Sequence, residues 1–367
     1  MRATWDQIRA RRLARTRLTD RAGSVDEAVR STCGIQAQFQ AAAEIGVAIR
    51  ADGVAQADVR RALWEERTLV RTWTLRGTLH LHPADELGLW TGAAAGLAET
   101  SLEPSRRAKL LDAFAEALDG RTLLREELAH EVASRVGEWA REPLASGWAY
   151  LVGDAVRAGI LCSGPPRGNK VTFVRADQWL GEVRCWDDRE ALLEATRRFL
   201  RAHGPVGHGS LGYLGVKGAA ARRELLDELR DELVPVEVDG WKAWLLAADA
   251  ELPEPAPSVR LVPQWDCYAI GFRERREHLL DGPAKELYWD TRWKKSGRYE
   301  SPVGFANVLV DGRVAGKWER NVRGGRLEIE VRLAEPLTRA QRDELEADAA
   351  RLATILDVED SHVTVCY

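Results

Sequence analysis

Hydrophobic positions recur at helical spacing through the first part of the chain. In residues 4–18 (TWDQIRARRLARTRL), Trp5, Ile8, Leu13 and Leu18 lie roughly whole helical turns apart, with Arg9, Arg11, Arg12, Arg15 and Arg17 between them. This spacing predicts an amphipathic helix with a strongly cationic face. Ser24, with Glu27 three residues on, is a capping-box start for a second helix that carries Val25, Ala28 and Val29 and ends near Gly34. Residues 54–66 predict a third helix with Val54, Val59 and Leu63 inward. The period then changes from 3.6 to 2. Residues 69–75 and 78–83 alternate on either side of Arg76-Gly77, which predicts a β-hairpin. Helices followed by a hairpin are the order of a winged helix.

That order recurs. Residues 121–136 and 148–158 read as helices, followed by hairpin strands at 160–162 and 171–174 around the basic loop 164–170. A third unit runs from a helix at Glu190 through a helix at 218–231 to strands 234–238 and 241–246, joined by Asp239-Gly240. The repeat is one of architecture, not of sequence. A Pro-rich acidic stretch, 249–258, precedes a β-rich region. There strands at 306–310 and 314–318 flank Asp311-Gly312, and a second turn at 323–326 leads into 327–331. A helix at 338–353 and a last strand at 363–365 close the chain. The expected fold is mixed, mainly α with β-hairpin wings. Three tandem winged-helix units (1–90, 91–182 and 183–258) are followed by a β-rich C-terminal region with basic hairpins (259–367).

Composition narrows this picture. With 367 residues and 45% hydrophobic content, the chain has the size of a globular protein of more than one domain. No window approaches the ~18 apolar residues of a membrane helix, and no membrane partner is expected. The N-terminus lacks an apolar signal core, and the five cysteines are scattered without a Cys-x-x-Cys pair. Both features point to a reducing cytoplasm, with neither disulfide framework nor zinc ribbon. Net charge is −4, yet residues 285–326 hold ten cations against five anions, a local +5. Such a stripe fits a polyanion held on one face, or simply a solvated surface.

Candidate chemistry is sparse. His80 and His82 alternate on a predicted strand and share a face, but no third ligand lies near, so no metal site is expected and the pair reads as groove-contacting or structural. Residues 208–212 (HGSLG) follow no strand and make no nucleophile elbow, and no phosphate loop or dinucleotide fingerprint occurs. No cofactor is expected. Trp73 and Trp318, on predicted hairpins, are core residues or platforms for bases. What remains is Gln36-Ala37-Gln38, two neutral amides where a helix ends. Each offers an acceptor and two donors, enough to hold a water or read a polar edge. Taken alone, the pair reads as a polar helix end.

Four ordered motifs change that reading. Residues 33–38 (CGIQAQ), 71–80 (RTWTLRGTLH), 261–275 (LVPQWDCY, then GFRER) and 310–318 (VDGRVAGKW) together resemble the winged-helix family of bacterial DNA glycosylases. The resemblance implies three winged-helix units in a C-shaped monomer without cofactor. It implies hydrolysis of the N-glycosidic bond of N7-alkylated purines and unhooking of interstrand crosslinks in double-stranded DNA, as in self-resistance to a DNA-alkylating natural product. The location implied is the cytoplasm, at the nucleoid. Gln36 and Gln38 match the family's Gln–aliphatic–Gln motif. One amide is expected to hold the attacking water and the other to orient it, with the two roles interchangeable on sequence and Gln40 open as a participant. Expected DNA contacts are the Arg-rich first helix, then Arg71, Trp73, Arg76, Thr78, His80 and His82 of the first wing, and Lys317, Arg320, Arg323 and Arg326 of the C-terminal hairpins. The competing readings are a non-catalytic winged-helix DNA-binding regulator, which needs no glutamine pair, and a protein-interaction scaffold without salt-dependent DNA affinity.

Overall fold

A computed structural model describes residues 1–97, 102–146, 150–280, 282–288 and 302–367. The expected start of a helix at Trp148 and the cations Arg292, Lys294, Lys295 and Arg298 lie outside these residues. The fold is mixed α/β. It divides into two compact units: Met1–Val59 with Arg197–Tyr213 and Gly218–Tyr367, and Arg60–Thr196 with Leu214–Lys217. The N-terminal segment and the β-rich C-terminal region thus belong to one unit. Among the described residues, no helix is long and apolar enough to cross a membrane.

In the first unit, the helix Trp5–Arg15 starts at Thr4, whose hydroxyl accepts from the Gln7 amide while the Gln7 side chain accepts from the Thr4 amide. Trp5 and Ile8 pack on the hairpin Leu233–Val238/Trp241–Leu246, against Val236, Val238, Trp241 and Leu245. The expected cationic face is largely turned inward: Arg9, Arg11 and Arg12 are buried, while Arg15 and Arg17 stay half-buried, paired with Asp249 and with Asp20 and Glu27 respectively. Arg9 donates to the carbonyls of Asp311 and His278, Arg11 to those of Arg201, Gly204 and Asp249, and Arg12 to that of Pro205. A guanidinium has five donors in a rigid fork, so it can cap loop carbonyls that would otherwise be buried unpaired. Burial pushes Arg11 and Arg12 down to about 10, for Arg11 against the attraction of Asp249. These side chains hold the unit together and are not displayed to a ligand.

A five-stranded sheet completes this unit, in the order 360–366, 326–333, 313–323, 307–310, 259–262. The Asp311-Gly312 turn joins 307–310 to 313–323, both residues taking positive φ. The turn Gly324-Gly325 lets 313–323 fold back on 326–333, with Arg323 opposite Arg326. The last strand, Asp360–Cys366, pairs in parallel with 326–332 after the helix Arg339–Ile355. A parallel partner needs a crossover of a dozen or more residues, and this helix supplies it.

The second unit holds the hairpin Leu69–Trp73/Leu79–Pro83, with Thr72 opposite His80 and Trp73 opposite Leu79. Every residue of both strands is buried. A second sheet runs 123–124, 170–175, 161–167. Its strands extend to a tight turn at Gly168-Asn169, so the expected seven-residue loop is mostly strand. Val70, Leu87, Cys162, Val174 and Ala176 form a shared core.

Candidate active site

The two glutamines sit on a backbone fixed from both ends. The helix Val25–Arg30 runs out through Cys33 (φ 61°) and Gly34 (φ 87°), consecutive left-handed residues that turn the chain into the extended pair Ile35–Gln36. At Gly34 this conformation favours a residue without Cβ. Beyond Gln38, the helix Gln40–Ala48 begins, with the Phe39 carbonyl accepting from the Ala43 amide at 3.0 Å. This helix was invisible as a pattern because QAAAEIGVA is apolar nearly all round and has no stripe.

Gln36 and Gln38 differ sharply in environment. Gln36 is 8% exposed, whereas Gln38 lies open to solvent. Gln40 is tied elsewhere: its side-chain amide donates to Glu44 at 2.9 Å, and Gln56 donates to the other Glu44 oxygen at 2.7 Å. Glu44, itself buried, is a carboxylate that sequence reasoning missed, since only its place one turn into the unrecognised helix brings it near the motif. With two amides on it, Glu44 braces Gln40 and the start of the helix.

A buried ion pair holds this element from behind. Arg50 and Asp266 are 0% and 1% exposed and meet through two hydrogen bonds of 2.8 Å. Arg50 also donates to the carbonyls of Thr16 and Gly46. Burial alone would depress its guanidinium, but the adjacent Asp266 raises it above its ordinary value. Gly46 lies where a Cβ would stand 3.5 Å from Ile35 and 3.6 Å from Pro263, so helix, glutamine turn and the 261–268 motif are in close contact. A groove of about 410 Å³ opens beside the motif, lined among others by Phe39, Ala42, Ile45, Pro263, Phe305 and Lys317.

The expected DNA contacts sort by exposure. Arg71, Trp73, His80 and His82 are buried and so are not surface contacts. Trp73 stacks on Phe173, and His82 stacks on Trp90 while bonding the Thr74 hydroxyl at 2.8 Å. Alternation puts the two histidines on one face, and the structure makes them structural, not groove-contacting, because aromatic side chains pack on both faces of the hairpin. Burial lowers His80 well below its ordinary value, with Arg76 adding to the effect, and takes His82 to about 3. Both rings are therefore neutral at physiological pH. Arg76 (φ 57°) and Thr78 are half-buried in the hairpin turn, the Thr78 hydroxyl bonded to the Leu75 carbonyl. Trp318 is also core, its indole N–H donating to Val262.

Lys317 is half-buried, and Arg320, Arg323 and Arg326 are exposed. Alternation puts Lys317 and Arg323 on one face of their strand and Arg320 on the other. Arg326 pairs with Asp360 at 2.9 Å. Glu319, Glu328 and Glu330 share the lower part of the hairpin with Arg320, whereas Arg323 and Arg326 face each other at its tip. Among the described residues, no group of three or more His, Cys, Asp or Glu side chains is arranged to hold a metal.

A family model described as DNA glycosylase AlkZ-like matches residues 29–355, a span that includes the whole glutamine turn. The chain is 30% identical over 338 residues to the interstrand DNA cross-link repair glycosylase of Streptomyces sahachiroi, covering 87% of this chain and 88% of that relative. The solved structure of the Streptomyces sahachiroi DNA glycosylase AlkZ aligns over the full length of both chains at a TM-score of 0.81 and 27% identity. The motif, the fold around it and these similarities agree: the chain belongs to the AlkZ-like family of DNA glycosylases.

Proposed function

We propose that the protein is a monofunctional glycosylase that hydrolyses the N-glycosidic bond of N7-alkylated purines in double-stranded DNA and unhooks interstrand crosslinks. Gln36 and Gln38 position the attacking water. The observation that carries this reading is the pair itself: a buried amide and an exposed one, two residues apart, on a turn locked by Gly34, the helix Gln40–Ala48 and the Arg50–Asp266 pair.

The chemistry suits amides. Glycosidic cleavage ordinarily needs one carboxyl group to protonate the leaving group and another to stabilise the sugar or activate water. An N7-alkylated purine already carries positive charge on the base, so it departs without a general acid. The remaining task is to hold a water at C1′ and limit access of bulk solvent, which is catalysis by positioning. The exposed Gln38 side chain accepts a hydrogen bond from that water. Gln36, fixed by burial, orients it or faces the developing sugar cation. A crosslinked base stays tied to the opposite strand and cannot rotate fully into a closed pocket, in contrast to ordinary base flipping. The openness of Gln38 favours an open site of this kind.

DNA affinity falls to the exposed tip of the C-terminal hairpin, with Arg323 and Arg326 on phosphates, supported by Lys317 and Arg320. The three helices-then-hairpin segments (1–90, 91–182 and 183–258) are read as winged-helix units of a C-shaped monomer acting at the nucleoid, with 259–367 as a β-rich region. Carrying crosslink repair over from the Streptomyces sahachiroi relative rests on its name and on the shared length. The test is incubation with duplexes carrying N7-methylguanine or an N7–N7 crosslink, followed by detection of free base and alkali-labile abasic sites. Tight DNA binding with neither product would favour a non-catalytic binding protein instead.

A further inference from the structure

Phe39 stands immediately after Gln38 and is 53% exposed, one of four large apolar side chains so exposed among the described residues. Met1 and Tyr367 are the chain ends, and Val322 lies near the hairpin tip. Phe39 is different because its backbone is anchored: it caps the helix Gln40–Ala48 in an extended conformation (φ −106°, ψ 102°). An apolar ring half in solvent, on an anchored backbone beside a candidate catalytic amide, offers a face on which a flat ligand can pack.

The groove next to it supplies the shape. Phe39, Ala41, Ala42, Ile45 and Pro263 make an apolar wall of small and flat side chains, and Phe305 also lines the space. The Lys317 ammonium lies 5.3 Å from the Phe305 ring centre, and Arg320 borders the same groove together with one acid, Glu319, so that cations outnumber anions there two to one. Gln264, half-buried, brings in a side-chain amide. The volume of about 410 Å³ falls within the ~300–1,000 Å³ of small-ligand sites, which are mostly apolar with a few placed polar groups.

We propose that this groove is a nucleobase subsite. Phe39 wedges into the base stack next to the reacting nucleotide, and the neighbouring base it unstacks lies in the groove. Apolar wedges that part base steps are an established way of opening DNA, and aromatic faces accept any base. Lys317 and Arg320 match the phosphate that accompanies the base, and the Gln264 amide can pair with its edge. The combined aromatic wall, amide and cations fit a base with its phosphate better than a bare hydrocarbon arm, which needs neither the amide nor the cations. The proposal rests on the reading of Gln36 and Gln38 as the site of base release.

The test uses the full-length protein and a non-hydrolysable 2′-fluoro duplex with 2-aminopurine placed next to N7-methylguanine, so that unstacking is read without catalysis. Wild type is expected to change the 2-aminopurine fluorescence on binding. Phe39→Ala should abolish that change and weaken binding about 5- to 150-fold, the equivalent of one lost base-stacking contact of ~1–3 kcal/mol. Phe39→Trp should restore both, and Gln264→Leu should alter which base is accepted. Phe39 is exposed, so unchanged circular dichroism and melting of the alanine variant separate loss of contact from loss of fold. An unchanged fluorescence response in Phe39→Ala overturns the proposal. So does a defect confined to substrates with a bulky apolar adduct, which would assign the groove to the adduct. Failure of the glutamine reading is seen separately, as base release from a cleavable duplex by Gln38→Ala.

Discussion

Replacing Asp266 by Ala should destabilise the unit that carries the glutamine turn by about 3–5 kcal/mol, the typical cost of removing one partner of a buried ion pair. The magnitude follows from where Arg50 sits. It is fully buried, bonded twice to Asp266 at 2.8 Å, and two further donors go to the carbonyls of Thr16 and Gly46. Without the carboxylate, a guanidinium with no solvent exposure keeps its charge and loses its counterion. Asp266 also accepts from the Tyr268 amide, a bond lost in the same step. For a folded unit of 150–250 residues, each kcal/mol lowers Tm by about 2–4 °C, so the expected shift is roughly 6–20 °C. The assay is thermal or urea unfolding followed by circular dichroism, with the double variant Arg50→Met/Asp266→Leu measured alongside. The double variant should be no less stable than Asp266→Ala alone. It removes the stranded charge, although it also leaves the Thr16 and Gly46 carbonyls without their donor. A loss below about 1 kcal/mol in Asp266→Ala, or a double variant far less stable than the single, would refute the reasoning.

Other expectations follow from single features. His82 has its folded value near 3 and His80 is likewise lowered, whereas the unfolded chain protonates near 6.5. Between those values the unfolded state binds more protons, so this contribution to stability is complete above about pH 6.5 and is lost as pH falls toward 3. The variant His82→Gln should flatten the fall of Tm with acidification over that window, and an unchanged slope would contradict the burial argument. At Gly34 (φ 87°), substitution by Ala should cost about 1–2 kcal/mol and reduce base release by shifting the glutamines, seen as paired losses in Tm and in single-turnover rate. Arg323→Ala should weaken DNA binding across sequences and lower the slope of log K against log salt by about 1, measured by fluorescence anisotropy; an unaltered slope removes Arg323 from the phosphate contacts.

Local rules made much of the β structure legible. The turns at Asp239-Gly240, Asp311-Gly312 and Arg323 to Arg326 were readable from turn chemistry, because residues tolerant of positive φ stand between alternating strands. Two other features needed tertiary information. The helix Gln40–Ala48 is packed on most sides, which erases the apolar stripe that marks a helix at a surface. Arg9, Arg11 and Arg12 looked like a solvated face because charge normally stays in water. Their partners are carbonyls some 190 to 300 positions away, and no local pattern reports them. The same holds for His80 and His82, whose alternation was read correctly as a strand but whose burial depends on Trp90 and the surrounding core. At the site, the motif made Gln36 and Gln38 visible, while their contrast in exposure, the Glu44 brace on Gln40 and the Arg50–Asp266 support emerged only from the fold.

The central claim is that two neutral amides suffice because the leaving base is already charged. It is tested most directly by single-turnover release of N7-methylguanine from duplex DNA by wild type, Gln36→Ala, Gln38→Ala and the double variant, with DNA affinity measured in parallel. Loss of a group that positions the reactant or stabilises charge in the transition state typically costs ~10²–10³ in rate. Each single variant is expected to lose that much with affinity preserved, and wild type is expected to release no uncharged base such as uracil. A double variant that releases N7-methylguanine at the wild-type rate would contradict the claim.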